Sequence, residues 1–249
     1  TIEIAHPWIT RVYRYPEKTV RLHFARVMAW RGSLQAREGQ ALSWQAPTDV
    51  RVAPLLPANA PILRALALPP IYAITDADRY GADEFLRRLD RALAHGLRLI
   101  QVREKTWDLA ARAAFARAVL TRARAYGARV LLNTDIAAAI SLGADGVHLN
   151  SAQLRTLAAR PAVDYCAASC HDAEDLQRAV AFGCDFAVLS PVLATASHPG
   201  AAILGWDRFE RLAADSPIPV YALGGMQPDS LMTAMQHGAH GVALRSGAW

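Results

Sequence analysis

The sequence lacks the features of membrane, secreted and zinc-binding proteins. No apolar run reaches the roughly 18 residues that a membrane-spanning helix needs, and Glu3 and Pro7 interrupt the start, which therefore does not read as a secretion signal. The cysteines are few, odd in number and without CxxC spacing: Cys166, Cys170 and Cys184. We therefore expect a cytoplasmic protein with reduced thiols, no membrane contact, no disulfide framework and no zinc site.

Charge is also unevenly placed. The chain has 27 Lys and Arg residues and 22 Asp and Glu residues. Residues 1–65 hold nine of the cations and four of the acids, a net charge of +5, so the remaining residues hold 18 of each sign and are neutral overall. A basic segment can attract an anion such as a nucleotide, although an arginine-rich solvated surface gives the same pattern. No recognised nucleic-acid-binding module accompanies it, so we expect no nucleic-acid partner.

From about residue 70 the chain repeats one unit, in which an apolar β-branched run is followed by a polar cluster, an amphipathic helix and a glycine. Such repeats predict parallel strands joined by helices, most simply a (β/α)8 TIM barrel, with an open doubly wound sheet as the alternative. The eight predicted strands are 71–75, 99–103, 130–133, 146–149, 165–169, 186–190, 220–223 and 241–244.

The helices of this repeat have recognisable first residues. Predicted N-caps are Asp83, Asp108, Asp135, Ser151 and Asp172. No eighth helix follows the last strand, and we expect the amino-terminal segment to cover that flank. Because the chain opens on threonine in what reads as mid-domain sequence, we interpret it as a fragment.

Residues 1–67 have a different pattern. Segments 11–15 and 19–30 alternate polar and apolar residues, as half-buried antiparallel strands do. Segment 59–68 is compatible with a short helix that leads into the barrel.

Polar residues follow the predicted strands, at the face where such barrels bind ligands. Gln101, Arg103 and Lys105 alternate along one strand end and so share a face. Hydroxyls and glycines, whose backbone N–H groups can approach an anion, dominate the later loops. The predicted phosphate-binding or substrate-binding residues are completed by Asn133, Ser169, Thr195, Ser197, Gly224, Gly225 and Ser246.

Two further residue classes bear on the chemistry. His171 follows a strand end and precedes a helix cap, where an imidazole can transfer protons near neutral pH, whereas His148 reads as a core residue. Asp76, Glu104 and Asp135 do not form a paired metal site, so we predict no metal and no cofactor in the barrel.

Six sequence phrases resemble the thiamine phosphate synthase superfamily, which includes the thiazole tautomerases (TenI-like proteins). They are IYAITD at 71–76, QVREK at 101–105, GADGVHL at 143–149, SCH at 169–171, PVYALGG at 219–225 and residues 241–246. The resemblance implies a TIM barrel over residues 68–249 that lacks a clear eighth helix and takes part in thiamine biosynthesis.

Departures from that pattern decide which branch we expect. Synthases carry Asn-Asp where this chain has Asn133-Thr134, an acid where it reads NSAQ at 150–153, and a lysine where it has His198. In synthases the two acids hold Mg²⁺. The main expectation is therefore a metal-independent, tautomerase-like enzyme that binds a phosphorylated thiazole or thiamine phosphate and moves a proton with His171. The alternative is a non-catalytic or residual synthase-like module.

Residues 1–67 resemble the C-terminal half of a MutT-type Nudix hydrolase, through residues 19–30, 37–40, Trp44 and 56–59. By that resemblance Glu38 would be an auxiliary metal ligand and Asn59 a purine-reading amide. The Nudix box is not in this chain. Hydrolysis of an 8-oxo-dGTP-type nucleotide, with Mg²⁺, is therefore expected only of an intact parent protein. A homodimer is left open.

Overall fold

The computed structural model describes residues 1–133, 135–195, 200 and 202–249. An antiparallel hairpin comes first, made of β1 (Ile2–Arg14) and β2 (Thr19–Trp30). Eight parallel strands then close into a barrel, in which β10 pairs with β3. The closed barrel confirms the predicted (β/α)8 fold over the open sheet. Its strands are β3 (Ile71–Ile74), β4 (Leu99–Val102), β5 (Arg129–Asn133), β6 (Gly146–Leu149), β7 (Tyr165–Cys170), β8 (Phe186–Leu189), β9 (Val220–Ala222) and β10 (Gly241–Leu244).

Helices alternate with the barrel strands, after α1 (Ala60–Leu66), which precedes the barrel. Asp108, Asp135 and Asp172 cap their helices, each accepting a hydrogen bond from the backbone N–H three residues on. The other two predicted caps are wrong. Asp83 lies inside the first turn, and Asn150 rather than Ser151 caps its helix, in a capping box with Gln153. The remaining helices are α2 (Ala77–Tyr80), α3 (Ala82–Ala94), α4 (Leu109–Ala125), α5 (Ile136–Leu142), α6 (Ser151–Thr156), α7 (Ala173–Ala181), α8 (Gly205–Ala213) and α9 (Ser230–Gln236).

The core has two layers because side chains alternate along each strand. Outward residues pack against the helices, as Phe85, Leu89 and Leu93 of α3 show. Inward residues fill the barrel, and they include Tyr72, Phe186 and Tyr221. Each buried Phe or Leu side chain of these layers contributes about 1.5–3 kcal/mol through burial. Toward the carboxyl ends of the strands the inward residues become polar, and this end is the mouth of the barrel.

The amino-terminal hairpin covers the other end of the barrel. Trp8 Nε1 donates to His240 Nδ1 (3.1 Å), and Arg26 donates to the backbone oxygens of Ala239 and His240, just before β10. Thr10 bonds to the backbone of Ala214 and Ser216 ahead of β9. These contacts lie at the amino-terminal ends of the strands. The hairpin therefore does not cover the flank where an eighth helix would lie, contrary to the sequence-based expectation.

The residues after β10 cover that flank themselves. A 3₁₀ turn, Ser246–Ala248, follows the strand. The indole of Trp249 then donates to the backbone oxygen of Ile74 (2.8 Å) and packs edge-on against Phe85, with ring centroids 4.6 Å apart. Trp249 thus packs against β3 and α3 on this flank of the barrel.

Two negative features hold for the part of the chain that the structure describes. None of its helices is long and apolar enough to cross a membrane. Its three cysteines are buried, and no disulfide joins them.

Candidate functional site

A chain of hydrogen bonds crosses the barrel below its mouth. Gln101 Nε2 donates to the Tyr72 hydroxyl (3.2 Å), which lies 3.1 Å from His148 Nδ1. His148 Nε2 lies 2.8 Å from the hydroxyl of Ser169. Burial and the nearby Arg103 charge lower the pKa of His148 to about 3, so the imidazole is neutral. His148 is thus a hydrogen-bonded interior residue, as the sequence predicted.

Three cations lie near one another above this chain, after β4 and β10, which both neighbour β3. Gln101 points inward, and alternation places Arg103 on the same face. Burial and the charge of Arg245 lower the pKa of Arg103, and the charge of Arg103 lowers the pKa of Lys105. Arg245 pairs with Asp76 (2.7 Å), whereas Arg103 and Lys105 form no ion pair with any carboxylate of the described residues. Two unpaired cations close to a third are a natural anion site.

The carboxylates near the mouth do not offer a metal site. Both Glu104 oxygens accept backbone N–H groups, from Ala77 and Asp78 at 3.1 Å, while burial raises the pKa of Glu104. Asp76 is held by Arg245, and Asp135 caps α5. Among the residues that the structure describes, no three His, Cys, Asp or Glu side chains group as metal ligands. This donor set does not fit a tightly held Mg²⁺ ion.

His171 lies at the mouth, and one of its two ring nitrogens is hydrogen-bonded to the backbone. Its Nδ1 is 2.7 Å from the backbone oxygen of Ser190, so Nδ1 carries a proton. Its backbone N–H donates to the buried carboxylate of Asp175, which also pairs with Arg155. The loop is therefore fixed, and in the neutral imidazole Nε2 is left as the base.

The glycine pair after β9 has a steric reason of its own. Gly224 and Gly225 have positive φ angles, +100° and +68°. A Cβ atom at Gly224 would lie 2.8 Å from the Cα atom of Pro191, and one at Gly225 would lie 2.7 Å from the backbone oxygen of Ala194. Glycine thus lets the loop after β8 approach the loop after β9, whatever the pair does for a phosphate.

The other predicted site residues are divided between the mouth and elsewhere. Asn133 Nδ2 donates to the backbone oxygen of His148 (3.3 Å), and Ser246 opens the last 3₁₀ turn. Thr195 lies in the loop after β8, whereas Ser197 falls outside the described residues. Glu38 is exposed between the hairpin and α1, and Asn59 precedes α1 without a side-chain cap bond. The last two are not at the mouth.

A cavity of about 390 Å³ opens beside Arg103 and Lys105, between α4 and α5. Leu109, Arg112 and Leu142 contribute to its walls. Arg112 and Leu142 were absent from the sequence-based site because they lie on helices rather than strand ends. Tyr72 was also absent from the sequence-based site. Side chains two residues apart along a strand share a face, so Tyr72 faces inward together with Ile74.

Comparisons with known proteins show the family of the barrel. The family model described as thiamine monophosphate synthase (TMP-TENI) matches residues 71–248. A protein of Aquifex aeolicus (strain VF5), provisionally named thiamine-phosphate synthase 2, is 36% identical over 182 residues, 72% of this chain and 96% of its own. The thiamine-phosphate synthase of Thioalkalivibrio sulfidiphilus (strain HL-EbGR7) is 32% identical over 185 residues, 72% and 87% of the two chains.

A solved structure supports the fold. The thiamine phosphate pyrophosphorylase from Pyrococcus furiosus superposes with a TM-score of 0.60 at 24% identity, covering 71% of this chain and 85% of that one. The names of these relatives favour the synthase-like alternative over the tautomerase that we mainly expected. The match starts at residue 71 and lends no support to a Nudix origin of residues 1–67, which stays a prediction together with its nucleotide and Mg²⁺. The chain belongs to the thiamine monophosphate synthase family.

Proposed function

We propose that the barrel is a thiamine-phosphate-synthase-like module that binds a pyrimidine diphosphate together with a phosphorylated thiazole. The observation that carries this proposal is the pair of unpaired cations, Arg103 and Lys105, beside Arg245 at the mouth. Three crowded cations suit a ligand with several negative charges better than one with a single phosphate. A metal-independent tautomerase would bind a thiazole with one phosphate group, which needs fewer cations than a diphosphate does.

The arrangement supports charge stabilisation as the main catalytic effect. When a diphosphate group leaves a carbon atom, negative charge accumulates on its oxygens, and positioned cations stabilise that charge in the transition state. Arg103 and Lys105 would contact the leaving group, while the Asp76–Arg245 pair holds the third cation in place. The half-buried setting of Arg103 strengthens its interaction with an anion because solvent screens it less.

We predict thiamine phosphate formation when the chain is mixed with the pyrimidine diphosphate and the thiazole phosphate. The product can be oxidised to a fluorescent thiochrome and quantified, in chelator and in added Mg²⁺. Because the described carboxylates do not fit a metal site, activity in chelator should fall no more than about tenfold below that with Mg²⁺. No product under either condition would refute the proposed reaction.

A second function has one observation in its favour. The bond from His171 Nδ1 to Ser190 leaves Nε2 as a candidate base at the mouth, as a thiazole tautomerase would require. If this function holds, His171→Ala should lower isomerisation of a thiazole carboxylate phosphate about 100-fold or more, measured by NMR of the substrate. His95→Ala, at an exposed histidine after α3, is the matched control. Unchanged isomerisation in His171→Ala would remove the residue from this role.

A further inference from the structure

The hydrogen-bond chain inside the barrel has a definite direction. A neutral His148 carries one N–H proton, on either Nδ1 or Nε2. Tyr72 already accepts from Gln101 Nε2. If His148 Nδ1 also donated to Tyr72, the tyrosine's own proton would face no acceptor among the described neighbours. A buried unsatisfied donor costs about 1–3 kcal/mol, so this arrangement is disfavoured.

The other arrangement satisfies the polar groups of both Tyr72 and His148. Tyr72 donates its proton to His148 Nδ1, and the imidazole proton then resides on Nε2. Nε2–H donates to the Ser169 oxygen at 2.8 Å. Ser169 thus accepts from below, and its own hydroxyl proton is available to point into the mouth. Tyr72 and His148 are both buried, at 0% and 2% exposed, so water does not compete for these bonds.

We propose that Tyr72 and His148 are positioning residues that fix the Ser169 hydroxyl as a hydrogen-bond donor toward an anionic oxygen of the ligand. The identity of that ligand as a diphosphate rests on the proposed function, but the proton order does not. With the opposite histidine tautomer, Ser169 would donate to His148 and present only lone pairs to the ligand. Lone pairs repel an anion, so the tautomer of His148 sets the sign of the interaction.

The proton order can be measured on the free protein. The ¹⁵N chemical shifts of a histidine ring distinguish the nitrogen that carries the proton from the one that does not. We expect the proton on Nε2 of His148 across neutral pH, and a changed ring spectrum in Tyr72→Phe. Tyr221→Phe is the matched control, since the Tyr221 hydroxyl donates to the backbone oxygen of Pro69 instead. A proton on Nδ1 in the unaltered protein would overturn the proposal, whether or not any ligand binds.

A double-mutant cycle tests the effect on binding, with inorganic pyrophosphate as the probe and calorimetry as the measurement. Tyr72→Phe should raise the dissociation constant for pyrophosphate roughly tenfold, which corresponds to the net free energy of about one hydrogen bond. In a Ser169→Ala background the same change should have no further effect, because the hydroxyl that it orients is gone. Equal losses in both backgrounds would show that Tyr72 acts by another route. If the unaltered protein binds no pyrophosphate, the anion site fails, and the NMR result alone decides the proton order.

Discussion

Replacing Arg103 with methionine is expected to lower kcat/KM for thiamine phosphate formation by about 100-fold, the larger part of it through kcat. Arg103 is half-buried at the mouth, inward from the end of β4. The charges of Glu104, Asp76 and Asp78 are close enough to act on its pKa, but Arg103 forms no ion pair with a carboxylate of the described residues. Its charge is therefore available to the ligand. A hundredfold loss corresponds to about 2.7 kcal/mol of transition-state stabilisation, typical of one charge-assisted contact.

The control for this substitution removes the same charge elsewhere. Arg37 is exposed in the segment after the hairpin, so Arg37→Met should leave kcat/KM unchanged within about twofold, as is usual for exposed charges. Thermal unfolding should show that both variants are folded. An Arg103→Met enzyme as active as the unaltered chain would place the anion site elsewhere in the barrel.

Acid is expected to destabilise the fold strongly below pH 6.5. Burial lowers the pKa of both His148 and His240 to about 3 in the folded chain, whereas an unfolded histidine has a pKa of about 6.5. Between these values the unfolded chain binds more protons, so the free energy of unfolding falls as pH falls. Each histidine contributes a slope of up to about 1.4 kcal/mol per pH unit.

Urea unfolding at steps between pH 7 and 4 measures this slope. His240 Nδ1 accepts from Trp8 and Nε2 donates to the backbone oxygen of Leu68, so protonation of Nδ1 would remove the hydrogen bond from Trp8 and leave a charge buried at the hairpin contact. The variant His240→Gln should show a shallower pH dependence, and His95→Gln, at an exposed position, should keep that of the unaltered chain. A stability that is constant from pH 7 to 4 would contradict the buried neutral state of these rings.

Much of the barrel is predictable because its signals are local. Eight apolar strand runs recur along residues 71–244, and each predicted strand lies within a residue or two of an observed one. Alternation alone places Gln101 and Arg103 on the inner face. The N-caps at Asp108, Asp135 and Asp172 were also predictable, because the aspartate side chain itself accepts a backbone N–H of the first helical turn and so stabilises the helix start.

What could not be predicted depends on contacts between distant residues. The hairpin docks through Trp8 and His240, which are 232 positions apart in the sequence. Its position at the amino-terminal ends of the barrel strands therefore cannot be predicted from local sequence patterns. Similarly, Glu104 appears free for a metal until the structure shows backbone N–H groups of Ala77 and Asp78 on both of its oxygens. The residue roles proposed for the mouth, including those of His171 and Thr195, still rest on prediction.

Calorimetric titration of the full chain with inorganic pyrophosphate, in chelator and again with Mg²⁺, tests the cationic mouth most directly. Our account predicts binding without metal, weaker binding of inorganic phosphate, and a loss of about 100-fold in affinity in Arg103→Met if its charge contacts the ligand. Absence of pyrophosphate binding under both conditions would contradict the account, because unpaired Arg103 and Lys105 would then not form an anion site.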